Sequence, residues 1–198
     1  MFGGRSMKIE TRQSSIHGTG VFATEGIRQA EIVLAIDDSR IVDDTHPVRF
    51  DLGEDGDHCD WLPDGTTVLM QEPERYINHS CAPNVFVYSV RRRRFVLAER
   101  DIPAGDEIVY DYAINSADGD ILVCRCGAPT CRGRHKCAFF ALPEQRQLEY
   151  LPFLDPWFAE VFKDRILDLL ERNAEQHAPA DADPPSPTAP ARQDKPRR

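Results

Sequence analysis

The stretch RYINHSCAPN, residues 75–84, sets Asn78, His79, Ser80 and Cys81 in consecutive order. An amide, an imidazole, a hydroxyl and a thiol in a row are too varied for a core strand, and their apolar flanks do not suit a plain loop. Taken alone, the stretch fits a metal site, a catalytic dyad or a polar turn. A second cluster lies downstream in CRCGAPTC, where Cys124, Cys126 and Cys131 are spaced C-x-C-x4-C. Three thiols in a Gly-Pro turn cannot form a regular core, because the loop has too few side chains to bury. Short intervals do let one loop wrap a tetrahedral ion through several sulfurs, which points to zinc. A closed structural zinc site takes four ligands and this loop offers three. Cys59, Cys81, Cys137 and the histidines, with His135 nearest in sequence, are the candidates for the fourth. Spacing alone does not choose among them.

The chain of 198 residues suits one domain of ordinary size with a tail. Its 41% apolar and 29% charged residues describe a soluble protein with a disordered segment. The net charge of −9 leaves no basic surplus to neutralise phosphates, so direct nucleic-acid binding is not expected. An acidic surface attracts instead a basic protein or peptide rich in Lys and Arg. The N-terminal MFGGRSMKIE lacks the apolar core of a signal peptide, and no apolar run approaches membrane-spanning length. An intracellular, soluble chain without membrane contact is therefore expected, and its six cysteines then serve as metal ligands or buried thiols rather than disulfides. Met7 suits a start as well as Met1 does.

Short β-branched and aromatic runs, EIVLAID, NVFVYSV, RFVLAER and EIVYDY, predict strands over 31–37, 84–90, 94–100 and 107–112. VYSVRRRRFVLA predicts a hairpin whose turn lies among Arg91 to Arg94, with the arginines on a solvated tip. Residues 38–66 are acidic, have few periodic signals and read as an insertion on a β scaffold. LDPWFAEVFKDRILDLLER predicts one helix, capped by Asp155 and begun at Pro156. Its apolar face, Leu154, Phe158, Val161, Phe162, Ile166, Leu169 and Leu170, would pack on the domain or on a second copy as a homodimer contact. Residues 178–198, with six prolines, read as a disordered tail.

Four blocks, SIHGTGVFA (15–23), RYINHSCAPN (75–84), GDEIVYDY (105–112) and CRCGAPTCRG (124–133), occur in an order that resembles the SET-domain lysine methyltransferases with a post-SET zinc loop. The resemblance covers about residues 14–134. It implies a mainly β fold with some α: a β-clip of small sheets with a pseudoknot, in which the NHSC and YDY segments cross. The units would be a SET domain at 7–115 with its insertion at about 38–66, a post-SET zinc loop at 120–136, a C-terminal helical segment at 143–174 and the tail. The crossing would bring Cys81 to Cys124, Cys126 and Cys131 as fourth thiolate on one structural zinc.

The resemblance also implies S-adenosylmethionine as methyl donor, held by His17, Gly18, Thr19, Gly20, Asn78 and His79. Gly18 and Gly20 would let the backbone approach the donor, Asn78 would bond its methionyl end, and the His79 backbone would lie on its adenine. Arg75 and Tyr76 would support that pocket. Tyr112 matches the catalytic tyrosine, and Tyr110 a position whose hydroxyl limits the product to mono- or dimethyl-lysine. Asp111 would point the other way as a structural residue, and Trp61 is a candidate wall of the lysine channel. The chain departs from the family pattern at Ala30 before Glu31, in lacking a cysteine-rich segment ahead of the domain, and in its insertion. The implied activity is protein-lysine N-methyl transfer to a histone or other basic protein. A SET-fold binding module without turnover competes with it. A zinc-dependent nucleic-acid binder has only the arginine run 91–94 in its favour.

Overall fold

The computed structural model describes residues 8–177. Met7 and the expected tail at 178–198 lie outside the described residues. Short runs of β-branched and aromatic residues, broken by Gly, Pro and Asp, form the strands β1 (Ile9–Gln13), β2 (Thr19–Ala23), β3 (Ile32–Ala35), β4 (Ile41–Val42), β5 (Cys59–Trp61) and β6 (Thr67–Leu69). They continue as β7 (Asn78–His79), β8 (Val85–Val90), β9 (Arg93–Ala98), β10 (Glu107–Tyr110), β11 (Ile121–Val123) and β12 (Arg134–Lys136). Three helices follow: α1 (Glu144–Tyr150), α2 (Pro156–Val161) and α3 (Lys163–Gln176).

The strands assemble into four small sheets, ordered β1-β2-β10-β7, β3-β9-β8, β4-β6-β5 and β11-β12. This is the mainly β fold of small sheets with a few helices that the sequence implies. In the first sheet the neighbours β1, β2 and β10 are antiparallel, but β7 runs parallel to β10, with Asn78 opposite Val109 and His79 opposite Tyr110. So short a pairing needs support beyond its own ladder. The Ser80 N–H donates to the Tyr110 carbonyl (2.9 Å) and the Asn84 N–H to that of Val109 (3.0 Å). The Asn84 side chain then acts as a piece of strand: it donates to the Glu107 carbonyl (2.7 Å) and accepts from the Val109 N–H (2.9 Å). Asn78, His79, Ser80 and Asn84 are all buried. That is tolerable because such side chains can be hydrogen-bonded within the crossing.

One apolar cluster, including Val21, Leu34, Val85, Val96 and Ile108, lies between the first two sheets, and a second gathers Ile114, Phe139, Tyr150 and Phe158 under the helices. Tyr110 packs against both. The helical segment differs from the single helix expected. Asp155 does cap it, accepting from the Trp157 N–H (3.2 Å), and Pro156 occupies the first position. At Phe162, however, the backbone turns out of helical geometry (φ −107°, ψ 20°) and α2 ends. The Phe162 ring packs on Phe158 (centroids 4.6 Å apart) and Phe140 (5.5 Å), and this aromatic contact accompanies the break. Val161 and Leu170 consequently face solvent rather than the core.

The hairpin forms with its turn among Arg91 to Arg94, as expected, but not all four arginines lie on its tip. Val90 pairs with Arg93, so the β8–β9 turn consists of Arg91 and Arg92 alone, both left-handed (φ 50° and 64°), as a two-residue hairpin turn requires. Arg94 is not on the tip. Its half-buried side chain is ion-paired to Asp38 and Asp60, with its Nε 3.0 Å from Asp38. Both carboxylates belong to the 38–66 segment, which carries β4 and β5 and pairs them through β6 in an ordered sheet, and strands of two or three residues are too short to give a periodic signal. Arg40 ties the same segment internally through a forked pair with Glu54 (2.9 and 2.7 Å). Arg94→Leu would leave two carboxylates facing each other without their cation. It is expected to cost about 3 kcal/mol, read as a lower urea midpoint at unchanged slope.

Candidate active site

The β1–β2 connection carries SIHGTG. Ser14 closes it, its N–H donating to the Gly18 carbonyl (2.8 Å), and Gly18 adopts a left-handed conformation (φ +46°). The Asn78 Nδ2 donates to the carbonyls of His17 (3.0 Å) and Thr19 (3.1 Å) and to Glu107 Oε1 (2.8 Å). The Ser14 hydroxyl reaches the same carboxylate (2.8 Å). Asn78 therefore staples the loop to β10 rather than leaving its amide nitrogen for a ligand. Gly20 has a structural reason of its own. A Cβ there would lie 2.4 Å from Glu107 Oε1, so the missing side chain makes room for that carboxylate. Gly18 and Thr19, with Thr11, Arg12, Glu72 and Tyr76, line an open groove of about 570 Å³. The Tyr76 hydroxyl is held between Arg75 (2.8 Å) and Glu72 (2.9 Å). His17 contributes its carbonyl to the Asn78 staple, and its side chain is exposed.

A second hollow, about 490 Å³, is lined by Trp61, Tyr110, Tyr112 and Trp157 and by Asp57, Asp60, Arg75, Ile77 and Arg94. Tyr76 lines the groove while Arg75 and Ile77 line this cavity, so the RYIN stretch is the wall between them. The Tyr112 hydroxyl donates to the Ile77 carbonyl (2.9 Å) in that wall. Desolvation pushes its pKa up to about 12, although the residue as a whole is 42% exposed. Tyr110 lines the same cavity. Its hydroxyl donates to the Ile114 carbonyl (2.7 Å) and accepts from Asn115 (3.4 Å), and burial raises its pKa strongly.

His79 lies beside these tyrosines. The Tyr112 N–H donates to its Nδ1 (3.1 Å), so the ring proton sits on Nε2, which points at the Cys81 sulfur 3.4 Å away. Burial lowers its pKa to about 4, outweighing the opposing pull of Asp111, and the ring is neutral at neutral pH. Asp111, fully buried, accepts from Arg132 (2.7 Å), the Ala113 N–H (3.1 Å) and the Tyr150 hydroxyl (2.9 Å). It is a structural hub pointing away from the cavity.

The sulfurs of Cys81, Cys124, Cys126 and Cys131 all lie within 4.8 Å of one another, with Cys81 and Cys124 at 3.8 Å. Four thiolates about 2.3 Å from a zinc ion would be about 3.8 Å apart, so the set fits such an ion. Backbone N–H groups already point at the sulfurs: Arg132 at Cys81 (3.4 Å), Cys126 at Cys124 (3.4 Å) and Cys81 at Cys126 (3.5 Å). Burial opposes ionisation of Cys126, but N–H donation from Cys81 and Ala128 brings its pKa down to about 6. His135, the nearest candidate in sequence, falls outside this set. It forms an alternative group with His79 and Cys81, but its Nε2 faces the Arg132 guanidinium at 3.1 Å, where a second cation would be repelled. Cys59 and Cys137 lie outside both groups, and burial raises the Cys137 thiol to about 11.

The family model that matches residues 18–113 is that of the SET domain. These residues are a SET domain. The chain is 35% identical over 142 residues to the H3 lysine-4-specific histone-lysine N-methyltransferase of Schizosaccharomyces pombe, covering 65% of this chain and 15% of that protein. It is 31% identical over 142 residues to the counterpart in Saccharomyces cerevisiae, covering 65% and 13%. The chain thus spans well under a fifth of the curated relatives it matches. Among solved structures it resembles KRYPTONITE, crystallised with mCHG DNA and SAH, at 25% identity and a TM-score of 0.48, over 64% of this chain and 28% of that one.

Sequence reasoning missed Glu107, Asn84 and Arg132. Each lies inside a quoted block, so motif position marked them, but nothing in the string says that Glu107 fills the space beside Gly20. Gly20→Ala forces that carboxylate aside and is expected to cost about 1–3 kcal/mol, measured by urea unfolding.

Proposed function

We propose that this chain is an S-adenosylmethionine-dependent protein-lysine N-methyltransferase. The observation that carries the reading is the RYIN wall, with a polar groove on one side, an aromatic cavity on the other and the Tyr112 hydroxyl bonded to the wall itself. When bound, S-adenosylmethionine supplies a methyl group on a positively charged sulfur. Gly18, Thr19 and Tyr76 would hold it in the groove, with the backbones of His17, Gly20 and His79 shaping the surroundings. The Asn78 Oδ1, an acceptor, suits the donor's amine.

The target amine must be neutral to react, and deprotonating a free lysine near pH 7.4 costs about 4 kcal/mol. The cavity reduces that cost by desolvating the ammonium among Trp61, Tyr110, Tyr112 and Trp157. Tyr112 has its own proton committed to Ile77, so only its lone pairs face a substrate. Those lone pairs accept an amine N–H and thereby aim the nitrogen's lone pair for an in-line displacement. The raised pKa keeps the hydroxyl protonated, so no phenolate competes for the cation. Tyr110, its hydroxyl anchored on Ile114, narrows the cavity and favours mono- or dimethylation.

Cys81, Cys124, Cys126 and Cys131 would hold one structural zinc, with no position open for catalysis. This metal loop, at 120–136, joins the 7–115 unit to the helical segment 143–174. The substrate class is a basic protein or peptide, histones among them. The chain's charge of −9 and the carboxylates of Asp57 and Asp60 on the cavity support it, as do relatives named for histone lysines. Direct nucleic-acid binding is disfavoured, since Arg92 and Arg94 are paired with acidic residues. Among the described residues no helix is long and apolar enough to cross a membrane, and an intracellular place follows from the histone reading. Exposed Val161, Leu167 and Leu170 support a homodimer through α2 and α3.

The test is methyl-label transfer to a histone mixture and to cell extract. Tyr112→Phe is expected to lose about 10²-fold or more in transfer while titration calorimetry shows donor binding unchanged. A wild type that binds donor but labels no protein would favour the binding-module reading. Tyr110→Phe is expected to retain transfer and move the product toward the trimethyl form, read by mass spectrometry of the labelled peptide.

A further inference from the structure

Arg132 follows directly after Cys131, and its N–H already touches the Cys81 sulfur (3.4 Å). Its guanidinium is enclosed. Nη2 is spent on Asp111 Oδ1 (2.7 Å) and His135 Nε2 (3.1 Å), but Nε and Nη1 are buried and have no hydrogen-bond partner among the described residues. A guanidinium carries five N–H donors, and leaving several dry and unpaired is costly. Nor does Asp111 balance this cation alone, since the same carboxylate also accepts from Tyr150 and from the Ala113 N–H.

The missing partner follows from charge. Four thiolates around a divalent ion carry a net charge of about −2, and Cys81 and Cys124 are buried. Such an excess in a low-dielectric site requires a cation close by. The neighbouring His79 ring accepts the Tyr112 N–H at its Nδ1, and His135 accepts rather than donates toward Arg132 once its Nδ1 proton is given to the Gly133 carbonyl (3.0 Å).

We propose that Arg132 is the counter-charge of the four-cysteine centre, sharing one guanidinium between the metal thiolates and Asp111 and so determining how tightly the metal is held. The inference rests on the zinc reading of that centre. A shared cation has a distinctive consequence. Removing Arg132 weakens metal retention, whereas neutralising Asp111 frees Arg132 for the thiolates and strengthens it. If Arg132 served only as a latch through its ion pair, both changes would weaken retention together.

The experiment uses the full chain loaded with zinc and follows transfer of the metal to a chromogenic chelator. Arg132→Gln is expected to release zinc about tenfold faster than wild type, and Asp111→Asn at the wild-type rate or more slowly. Release from Arg132→Gln at the wild-type rate overturns the proposal. So does faster release from both variants. Cobalt-loaded protein gives a second measurement that a purely structural role would not move. The sulfur-to-cobalt charge-transfer band should shift to shorter wavelength in Asp111→Asn, where the cation turns wholly to the thiolates, and to longer wavelength in Arg132→Gln. The Asp111→Asn shift decides the question even if Arg132→Gln does not fold, and a band that stays in place or moves the other way overturns the proposal. A wild type that retains no zinc and shows no tetrahedral cobalt–thiolate band would instead remove the zinc reading, and this inference with it.

Discussion

Everything chemical in this protein depends on a parallel pairing two residues long. Asn78 and His79 lie beside Val109 and Tyr110, and this contact gathers four elements that are far apart in the chain. Asn78 reaches across to the SIHGTG loop, Ile77 receives the Tyr112 hydroxyl, and Cys81 emerges among the sulfurs of the 124–131 loop. A ladder this short cannot hold itself. The Asn84 amide supplies the missing strand, satisfying the Glu107 carbonyl and the Val109 N–H in one side chain. The buried Asn78, His79, Ser80 and Asn84 of this stretch each find hydrogen-bond partners inside the crossing, which offsets the bonds they lose to water.

Around that pairing Asp111 serves as a junction between units. Its carboxylate collects Arg132 from the cysteine loop, Tyr150 from α1 and the local Ala113 N–H, while the N–H of the next residue, Tyr112, goes to His79. The cysteine loop, the helical segment and the tyrosine are thus held by one fully buried carboxylate. Such a group needs every partner it has, because an uncompensated carboxylate in this environment would be far more costly than the bonds it makes are stabilising.

The acidic segment 38–66 is attached by the same kind of economy. Its sheet has little core of its own, and Arg94, reaching from β9, takes Asp38 and Asp60 together. That attachment keeps Trp61 and Asp60 at the cavity, leaving the rest of the segment's negative charge toward solvent.

The four motif blocks and the turn chemistry were legible as a string. The strands at β3, β8, β9 and β10 follow from β-branched runs, the Asp155–Pro156 helix start from capping rules, and the three-cysteine loop from spacing, because each is a local property. What the tertiary structure decided is every contact between blocks. Arg94 reads as one of four surface arginines until two distant aspartates meet it. Nothing in the string shows that Glu107 lies against Gly20, and a long amphipathic helix reads as continuous until the Phe162 ring turns onto Phe140 and Phe158. His135 was the nearest ligand by sequence, yet its ring faces a guanidinium. Local rules depend on dihedral preference and periodicity, which a sequence carries residue by residue. Pairings across a chain depend on which groups share a volume once water has been excluded, and only the folded arrangement sets that.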